Sequence, residues 1–336
     1  LPSGEAIDWE AVRSEMARRA PGKNKMSTAR SEKDAFEVQS GFFNGHTTGT
    51  PLCAIIRNSD QHSRDYDQLR HIMRPGHADY SSKIRYGGFN DYRGGGHFSG
   101  RLTAPLVFAG AIASQILARH GITVGSHILR LAGIADKPFD AAGETAETLQ
   151  ALKKETLPVL DKAQAGPMEE KILEAKNDLD SVGGVIECMV TGLPAGIGDP
   201  FFDSVESQLS HMMFSVPAVK GIEFGDGFAL ADLRGSQAND AFYYDGDAVK
   251  TRTNHNGGIN GGITNGMPVV FRLAVKPTAS ISQKQETIDT DTKENCDLVI
   301  KGRHDSCIVQ RAIPVVEAAA AWAILDVCLS EKGRCW

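Results

Sequence analysis

The chain has 336 residues, enough to bury a substantial hydrophobic core in one large domain or two smaller ones. Its hydrophobic share of 41% and charged share of 23% are those of a folded globular protein and exclude a disordered one. The net charge of −6 argues against a general nucleic-acid binder, because binding a phosphate backbone requires a broad basic face.

Neither a membrane span nor a metal site is predicted. The most apolar stretch, residues 315–329, is interrupted by Glu317 and Asp326, so no apolar run reaches the length needed to cross a bilayer. The six cysteines are scattered without a Cys-x-x-Cys pair. This pattern predicts free thiols in a reducing compartment and no metal-ligand set.

The N-terminal half predicts few regular elements. In chain order they are a helix that Asp8 caps and Pro21-Gly22 ends, strands at 36–39 and 52–56, a long glycine-rich loop at 74–101, and an apolar helix at 103–120. Pro105 is tolerated because it lies in the first turn of its helix.

The C-terminal half alternates helices and strands. The predicted elements are a charged helical stretch at 144–180 broken at Pro158 and Pro167, a strand at 182–191, a helix near 204–213, an irregular stretch at 221–266, a strand at 269–275, an exposed excursion at 282–296 and a helix at 314–331. Regular strand–helix–strand crossovers are absent from this pattern, which favours an α+β layered domain. In each half a loop with glycine, histidine and arginine precedes an apolar helix, a weak sign of internal duplication.

Two loop clusters carry residues suited to binding phosphate. The first begins with Arg-Pro-Gly-His-Ala-Asp at 74–79 and ends at Arg101. Its glycines let backbone N–H groups approach a phosphate or a flat ring, and its arginines can clamp oxyanions. Composition alone favours a simpler reading, a local hydrogen bond between His77 and Asp79. The second cluster combines residues 276–280 with 301–305, and its alternative is a solvated strand end.

Several motifs, taken in order, resemble the signatures of chorismate synthases. They are Thr-Thr-Gly-Thr-Pro at 47–51, Asn-Ser-Asp at 58–60 with Asp65-Tyr66, Arg-Pro-Gly-His-Ala-Asp at 74–79, Asp-Tyr-Arg-Gly-Gly-Gly at 91–96, the segment 218–228, Arg-Gly-Ser-Gln at 234–237, Lys-Pro-Thr-Ala-Ser at 276–280 and Gly-Arg-His-Asp at 302–305. The resemblance covers nearly the whole chain. It implies that residues 1–336 form a single α+β domain, a β-α-β sandwich in which helices lie between two antiparallel sheets, with internal pseudo-duplication.

The resemblance also implies an activity. It points to a reduced-FMN-dependent lyase that expels phosphate from 5-enolpyruvylshikimate 3-phosphate by a 1,4-anti elimination and yields chorismate. NADPH is a candidate reductant of the FMN. A cytoplasmic homotetramer of the shikimate pathway of aromatic amino-acid biosynthesis is implied, with neither nucleic acid nor membrane as a partner. A substrate with one phosphate and two carboxylates explains why an acidic protein would converge several arginines on one pocket.

Site residues are carried over position by position. His77 is expected to lie by the flavin and tune its protonation, and Asp305 is expected to relay a proton. The predicted substrate-binding residues are Arg19, Arg74, Arg101 and Arg303. The predicted cofactor-binding residues are Arg19, Lys25, His97, Phe98, Ser99, Gln237, Ala238, Gly261, Lys276, Pro277, Thr278, Ala279, Ser280 and Arg303. Two departures stand out: His97-Phe98 replaces a common Arg-Ser, and Ala238 replaces a commoner Asn.

The sequence starts at Leu1 and contains neither the family's N-terminal strand nor its Gly-Glu-Ser-His-Gly motif, whose histidine protonates the departing phosphate. A chain that lacks this segment is expected to fold but to turn over poorly. Two alternatives therefore stay open beside the lyase. One is a truncated, weakly active flavin-binding subunit, and the other is an NAD(P)H:flavin reductase, which would oxidise NAD(P)H steadily.

Overall fold

The computed structural model describes residues 1–21, 25–26, 34–58, 69–300 and 305–330. The helices are α1 Trp9–Arg19, α2 Asp79–Arg85, α3 Thr103–Arg119, α4 Ala146–Leu152, α5 Ala165–Asn177, α6 Val205–Phe214, α7 Gly235–Ala238 and α8 Val309–Ser330. The strands are β1 Ser3–Ala6, β2 Phe36–Ser40, β3 Phe42–Phe43, β4 His46–Thr48, β5 Cys53–Ile56, β6 Thr123–Leu131, β7 Ile134–Ala135, β8 Gly184–Thr191, β9 Val219–Phe224, β10 Phe242–Asp245, β11 Ala248–Thr251, β12 Ile259–Asn260, β13 Ile263–Thr264, β14 Val269–Val275, β15 Gln285–Asp289 and β16 Glu294–Leu298.

The centre of the fold is a five-stranded antiparallel sheet in the order β7-β6-β8-β14-β9. Side chains of a strand alternate between its two faces. On one face Cys188 lies in register with Ser126 and Phe271, and all three are buried. This face packs against the helices and forms the larger part of the hydrophobic core.

Helices α3 and α8 pack against each other at very short range. A Cβ atom built on Gly110 of α3 would lie 2.4 Å from the Cα of Ala318 in α8. Glycine at this position therefore lets the two helices approach closely. Helix α8 is also tied to the sheet, because buried Glu317 accepts hydrogen bonds of 3.1 Å from the backbone N–H and the hydroxyl of Ser126.

Short N-terminal strands lie on the other side of α1 and α3. Trp9 of α1 stacks on Phe108 of α3 at 6.2 Å, and Phe36 of β2 contacts both rings at 5.7 and 5.0 Å. Phe42 of β3 meets Trp9 at 4.9 Å. The helices thus have strands on two sides, as expected for layered α+β architecture. The strands here form the pair β2–β5 and the group β1-β4-β3, and the described residues do not join them into one second sheet.

The outer face of the central sheet carries a buried ionic cluster. His127 lies between Asp136, at 3.0 Å from Nδ1, and Glu187, at 2.9 Å from Nε2. Both carboxylates also accept backbone N–H groups, and Glu187 pairs with Arg272. Burial alone would lower the pKa of His127, but hydrogen bonds to the two carboxylates raise it. Because a carboxylate faces each ring nitrogen, the cluster favours the protonated form of His127.

The sequence predicted that no segment is long and apolar enough to cross a bilayer. Judged by length and composition alone, this prediction is wrong. In the described part of the chain, the stretch Gly100–Arg119 and helix α8 both meet these criteria. In the most apolar part of each stretch, 56% and 78% of the residues, respectively, are buried inside the protein. Core helices of globular proteins meet the same criteria because they are apolar on several sides.

Most of the predicted helices and strands are present, with shifted boundaries. Helix α8 begins at Val309, so Pro314 lies inside it and not in its first turn. Buried Val309, Ala312 and Ile313 extend the helix toward its N-terminus, and this packing outweighs the hydrogen bond that the proline cannot donate. Pro167 does not break a helix but lies in the first turn of α5.

Three regions contain more β structure than the sequence predicted. Strand β6, which lies between β7 and β8 in the sheet, was not predicted because buried Ser126 and His127 interrupt its apolar pattern. The stretch predicted to be irregular includes most of β9 and the β10–β11 hairpin, whose turn contains Gly246 at φ 62°. The predicted exposed excursion is the β15–β16 hairpin.

Candidate functional site

A tight turn before α2 places Arg74, His77 and Asp79 in mutual contact. Asp79 accepts hydrogen bonds from Nε and NH2 of Arg74 at 2.7 and 2.8 Å, and its Oδ1 lies 2.6 Å from His77 Nδ1. Arg74 and Asp79 are buried. Burial alone would raise the pKa of Asp79, but the hydrogen bonds from Arg74 and His77 hold it well below its usual value. The turn is therefore a rigid ionic unit that carries one imidazole.

The glycine-rich loop lies against this imidazole. A Cβ atom on Gly95 would be 3.5 Å from His77 Nε2 and 3.6 Å from the Cβ of Ser99. Gly95 and Gly96 have φ values of 84° and 51°, a region that favours glycine. The loop therefore brings bare backbone to the free edge of His77.

His97 and Phe98 of the same loop are exposed to solvent. The ring of Phe98 lies 6.3 Å from that of Tyr86, at the end of α2.

The segment after β14 touches the turn from the other side. Ser280 is buried and accepts a hydrogen bond of 3.1 Å from NH1 of Arg74. Lys276 Nζ donates to the carbonyl of Gly76, and Ala279 packs against the same glycine. The lysine-to-serine segment predicted to bind cofactor thus adjoins the histidine turn.

Asp305 is held by the start of α8 and by the edge of the sheet. Its carboxylate is 2.5 Å from NH1 of Arg311. The next residue, Ser306, accepts a backbone hydrogen bond of 2.8 Å from Val182, and the neighbouring Ser181 donates a hydrogen bond of 2.7 Å to the carbonyl of Thr278. Asp305 is therefore linked to the segment that carries Ser280.

Arg19 connects α1, α3 and α8. It is buried, pairs with Asp34 through Nε at 2.9 Å, and donates to the Thr103 hydroxyl at 3.1 Å. Its carbonyl accepts from Arg311 at 3.4 Å, and Thr103 donates to the Gly100 carbonyl at 2.6 Å. Arg19 thus joins the Asp305 region to the end of the glycine-rich loop.

Hydrogen bonds and chain neighbours join these residues into one circuit. From His77 it passes through Asp79 and Arg74 to Ser280, from Thr278 through Ser181, Val182 and Ser306 to Asp305, and from there through Arg311, Arg19 and Thr103 to Gly100 of the loop whose Gly95 lies beside His77. The two predicted catalytic residues belong to the same circuit. Ser181 and Arg311, which belong to the circuit, and Asp34, which pairs with Arg19, lie outside every recognised motif and were not predicted.

Other predicted residues lie elsewhere or are undetermined. Gln237 and Ala238 are on the short helix α7, and the hydrogen bonds they make in the described part of the chain are local. Gly261 lines a surface recess formed with Pro200, Phe201, Ser204, Glu206 and Gly262. Lys25 is exposed, and its carbonyl accepts a hydrogen bond from Lys176. Arg303 lies outside the described residues, and Arg101 donates to the carbonyl of Arg57 at 2.8 Å.

Buried polar atoms along the circuit have free hydrogen-bonding capacity. Among the described residues, Thr278 Oγ1, Ser306 Oγ and Gln310 Oε1 have no hydrogen-bond partner although they are buried. Such atoms cost free energy unless a ligand or water satisfies them. Within the same residues, no group of three or more His, Cys, Asp or Glu side chains is arranged to hold a metal ion.

The fold and this site define an α+β protein with a glycine-rich, cation-bearing site built from distant loops. A family model described as chorismate synthase matches residues 1–329. The chain belongs to the chorismate synthase family, a family of lyases.

Curated relatives named chorismate synthase come from bacteria and archaea. The protein from Chitinophaga pinensis is 46% identical over 99% of this chain and 90% of its own length. The protein from Dehalococcoides mccartyi strain BAV1 is 44% identical over 98% of this chain and 89% of its own length. The protein from Thermococcus gammatolerans is 44% identical over 99% of this chain and 91% of its own length. A solved structure titled as a crystal structure of chorismate synthase matches with a TM-score of 0.76 at 27% identity, over 100% of this chain and 87% of that one.

Proposed function

We propose that this chain forms chorismate from 5-enolpyruvylshikimate 3-phosphate by a 1,4-anti elimination of phosphate that depends on reduced FMN. The observation that carries the proposal is the closed circuit of contacts that includes His77, Asp305 and the 276–280 segment. Residues far apart in sequence that meet around glycine-rich backbone are typical of a ligand site.

The residues of the circuit fit a flavin and a phosphorylated ring. Gly95 presents only backbone beside His77, since a Cβ there would lie 3.5 Å from Nε2, and the loop thus leaves the edge of this imidazole uncovered by a side chain of Gly95. The unsatisfied hydroxyls of Thr278 and Ser306 can donate to carbonyl or phosphate oxygens. When bound, the reduced flavin supplies electron density that helps expel phosphate and accepts a hydrogen from the ring.

The residues of the chain bind and position the reactants and manage protons. We assign His77 to a hydrogen bond at the flavin and Asp305 to a proton relay, as the family resemblance implies. Arg101 and Lys276 are the cations we assign to phosphate and carboxylate groups, because cationic donors stabilise oxyanions.

The test is an anaerobic assay with chemically reduced FMN and the phosphorylated substrate. We expect chorismate and free phosphate in equal amounts with no stoichiometric consumption of reductant. Steady NAD(P)H oxidation without phosphate release would refute the proposal and favour the reductase. Flavin binding without turnover would favour a weakly active subunit. We further propose a homotetrameric, cytoplasmic enzyme, which sedimentation and fractionation would test.

A further inference from the structure

We propose that Asp79 is a positioning residue that keeps the proton of neutral His77 on Nδ1, so that Nε2 presents a lone pair to the site. This inference rests on the proposed function for its catalytic consequence. Its structural part, the position of the proton, stands without it.

Two groups compete for Nδ1 of His77. Asp79 Oδ1 lies at 2.6 Å and NH2 of Arg74 at 3.0 Å. An arginine N–H can only donate and an ionised carboxylate can only accept, so Nδ1 cannot satisfy both. The same NH2 group of Arg74 lies 2.8 Å from Asp79 Oδ1, where it has a better acceptor.

Asp79 is ionised, and this decides the competition. Its carboxylate accepts three hydrogen bonds from Arg74, through the backbone N–H, Nε and NH2, at 3.1, 2.7 and 2.8 Å. These bonds hold the pKa of Asp79 well below its usual value despite its burial. If Nδ1 of His77 were unprotonated, its lone pair would face the Asp79 carboxylate oxygen at 2.6 Å, which is repulsive. The proton therefore lies on Nδ1.

The other nitrogen faces the glycine-rich loop. Within the described residues, Nε2 of His77 makes no hydrogen bond, and a Cβ on Gly95 would be 3.5 Å away. An unprotonated Nε2 can accept a hydrogen bond or a proton from a ligand there. The anionic Asp79 then stabilises the imidazolium that forms.

Arg74 acts through Asp79 in this arrangement. Its guanidinium bonds Asp79 and Ser280 and is 5% exposed on its side chain. The ion pair anchors the first residue of α2 and fixes the distance between Asp79 and His77. The substrate-binding role that the sequence predicts for Arg74 stays a prediction.

The direct test is made on the wild-type protein, and a variant serves only to assign the signal. The protein is produced with 15N-labelled histidine rings, and the His77 signal is the one that disappears in His77→Gln. We expect the Nδ1–H tautomer in the neutral ring. An Nε2–H tautomer would overturn the proposal whether or not the protein makes chorismate.

The variant Asp79→Asn tests the consequence for turnover. We expect kcat to fall about 10- to 100-fold with KM roughly unchanged, because the orientation and tautomer of His77 are lost but the substrate contacts are not. Its pH profile should shift, and Asp79→Glu should recover part of kcat. Asp245→Asn, which breaks the exposed Asp245–Lys250 pair, is the matched control and should keep wild-type kcat.

A double-mutant cycle separates positioning from general damage. In a His77→Gln background, Asp79→Asn should reduce kcat no further, because Asp79 acts through the imidazole. Equal losses with and without His77, or wild-type kcat in folded Asp79→Asn, would overturn the proposal. If Asp79→Asn does not fold, the tautomer of the wild-type protein still decides.

Discussion

Gly95→Ala is predicted to block the site at His77 with a modest loss of stability. Gly95 has a φ of 84°, where an alanine costs about 1–2 kcal/mol. The new Cβ would lie 3.5 Å from His77 Nε2 and 3.6 Å from Ser99 Cβ, which is ordinary contact, so no clash adds to this cost.

The expected functional loss is larger than the loss of stability suggests. A hydrogen-bond partner of Nε2 must come within about 2.6–3.2 Å, and the methyl group occupies that approach. Loss of one hydrogen bond to an ionised group is worth about 1.5–3 kcal/mol. Turnover should therefore fall about 10- to 100-fold.

Gly88→Ala is the matched control. Gly88 has a φ of 83°, and a Cβ there meets no atom within 4 Å. Both variants should lose similar stability in urea unfolding, while only Gly95→Ala should lose chorismate formation and reduced-FMN affinity. Equal activity of the two folded variants would refute the placement of a ligand beside His77.

Three further predictions concern packing, charge and the unsatisfied hydroxyl. Gly110→Ala should destabilise the protein by about 1–3 kcal/mol in urea unfolding, because its methyl group would lie 2.4 Å from Ala318. Gly166→Ala is the control: no atom lies within 4 Å of the new methyl group, and the variant should be about 0.5–1 kcal/mol more stable. The pKa of His127 is raised above 6.5, so the stability that protonated His127 contributes is complete below pH 6.5 and is lost as the pH rises through the raised pKa. The free energy of unfolding in urea should therefore fall with pH in this range, by up to about 1.4 kcal/mol per pH unit. This pH dependence should disappear in His127→Gln. Thr278→Val removes a hydroxyl with no partner among the described residues, so stability should be kept while reduced-FMN or substrate affinity falls about 5- to 30-fold, by calorimetry.

The elements that the sequence predicted correctly are those with a strong local signal, either a capping residue or a clear distribution of apolar residues. Helices α1 and α3 were found because a capping Asp8 and a continuous apolar run are local signals. Strand β6 was missed because its polar residues are satisfied by distant partners, such as Glu317 for Ser126. No local pattern encodes a hydrogen bond across 191 residues.

The candidate site was predicted only in part, for a related reason. Recognised motifs named His77, Ser280 and Asp305, whose neighbours in space come from other segments. Motifs cannot report that Ser181 or Arg311 closes the circuit between them. These connecting residues act through the fold, and only the structure identifies them.

The arginines show most clearly what motifs cannot predict about the site. In an acidic protein that binds an anionic substrate, each arginine in a motif looks like a ligand. In the structure Arg19 and Arg74 are buried and paired with Asp34 and Asp79. A buried carboxylate removes most of the net charge of its arginine, and breaking such a pair leaves an uncompensated charge. Loss of activity in an Arg74 variant would thus report on the His77 turn as much as on substrate binding. Asp79→Asn, measured with and without His77, separates the two effects, because it keeps the arginine, removes the anion and shows whether the loss passes through the imidazole.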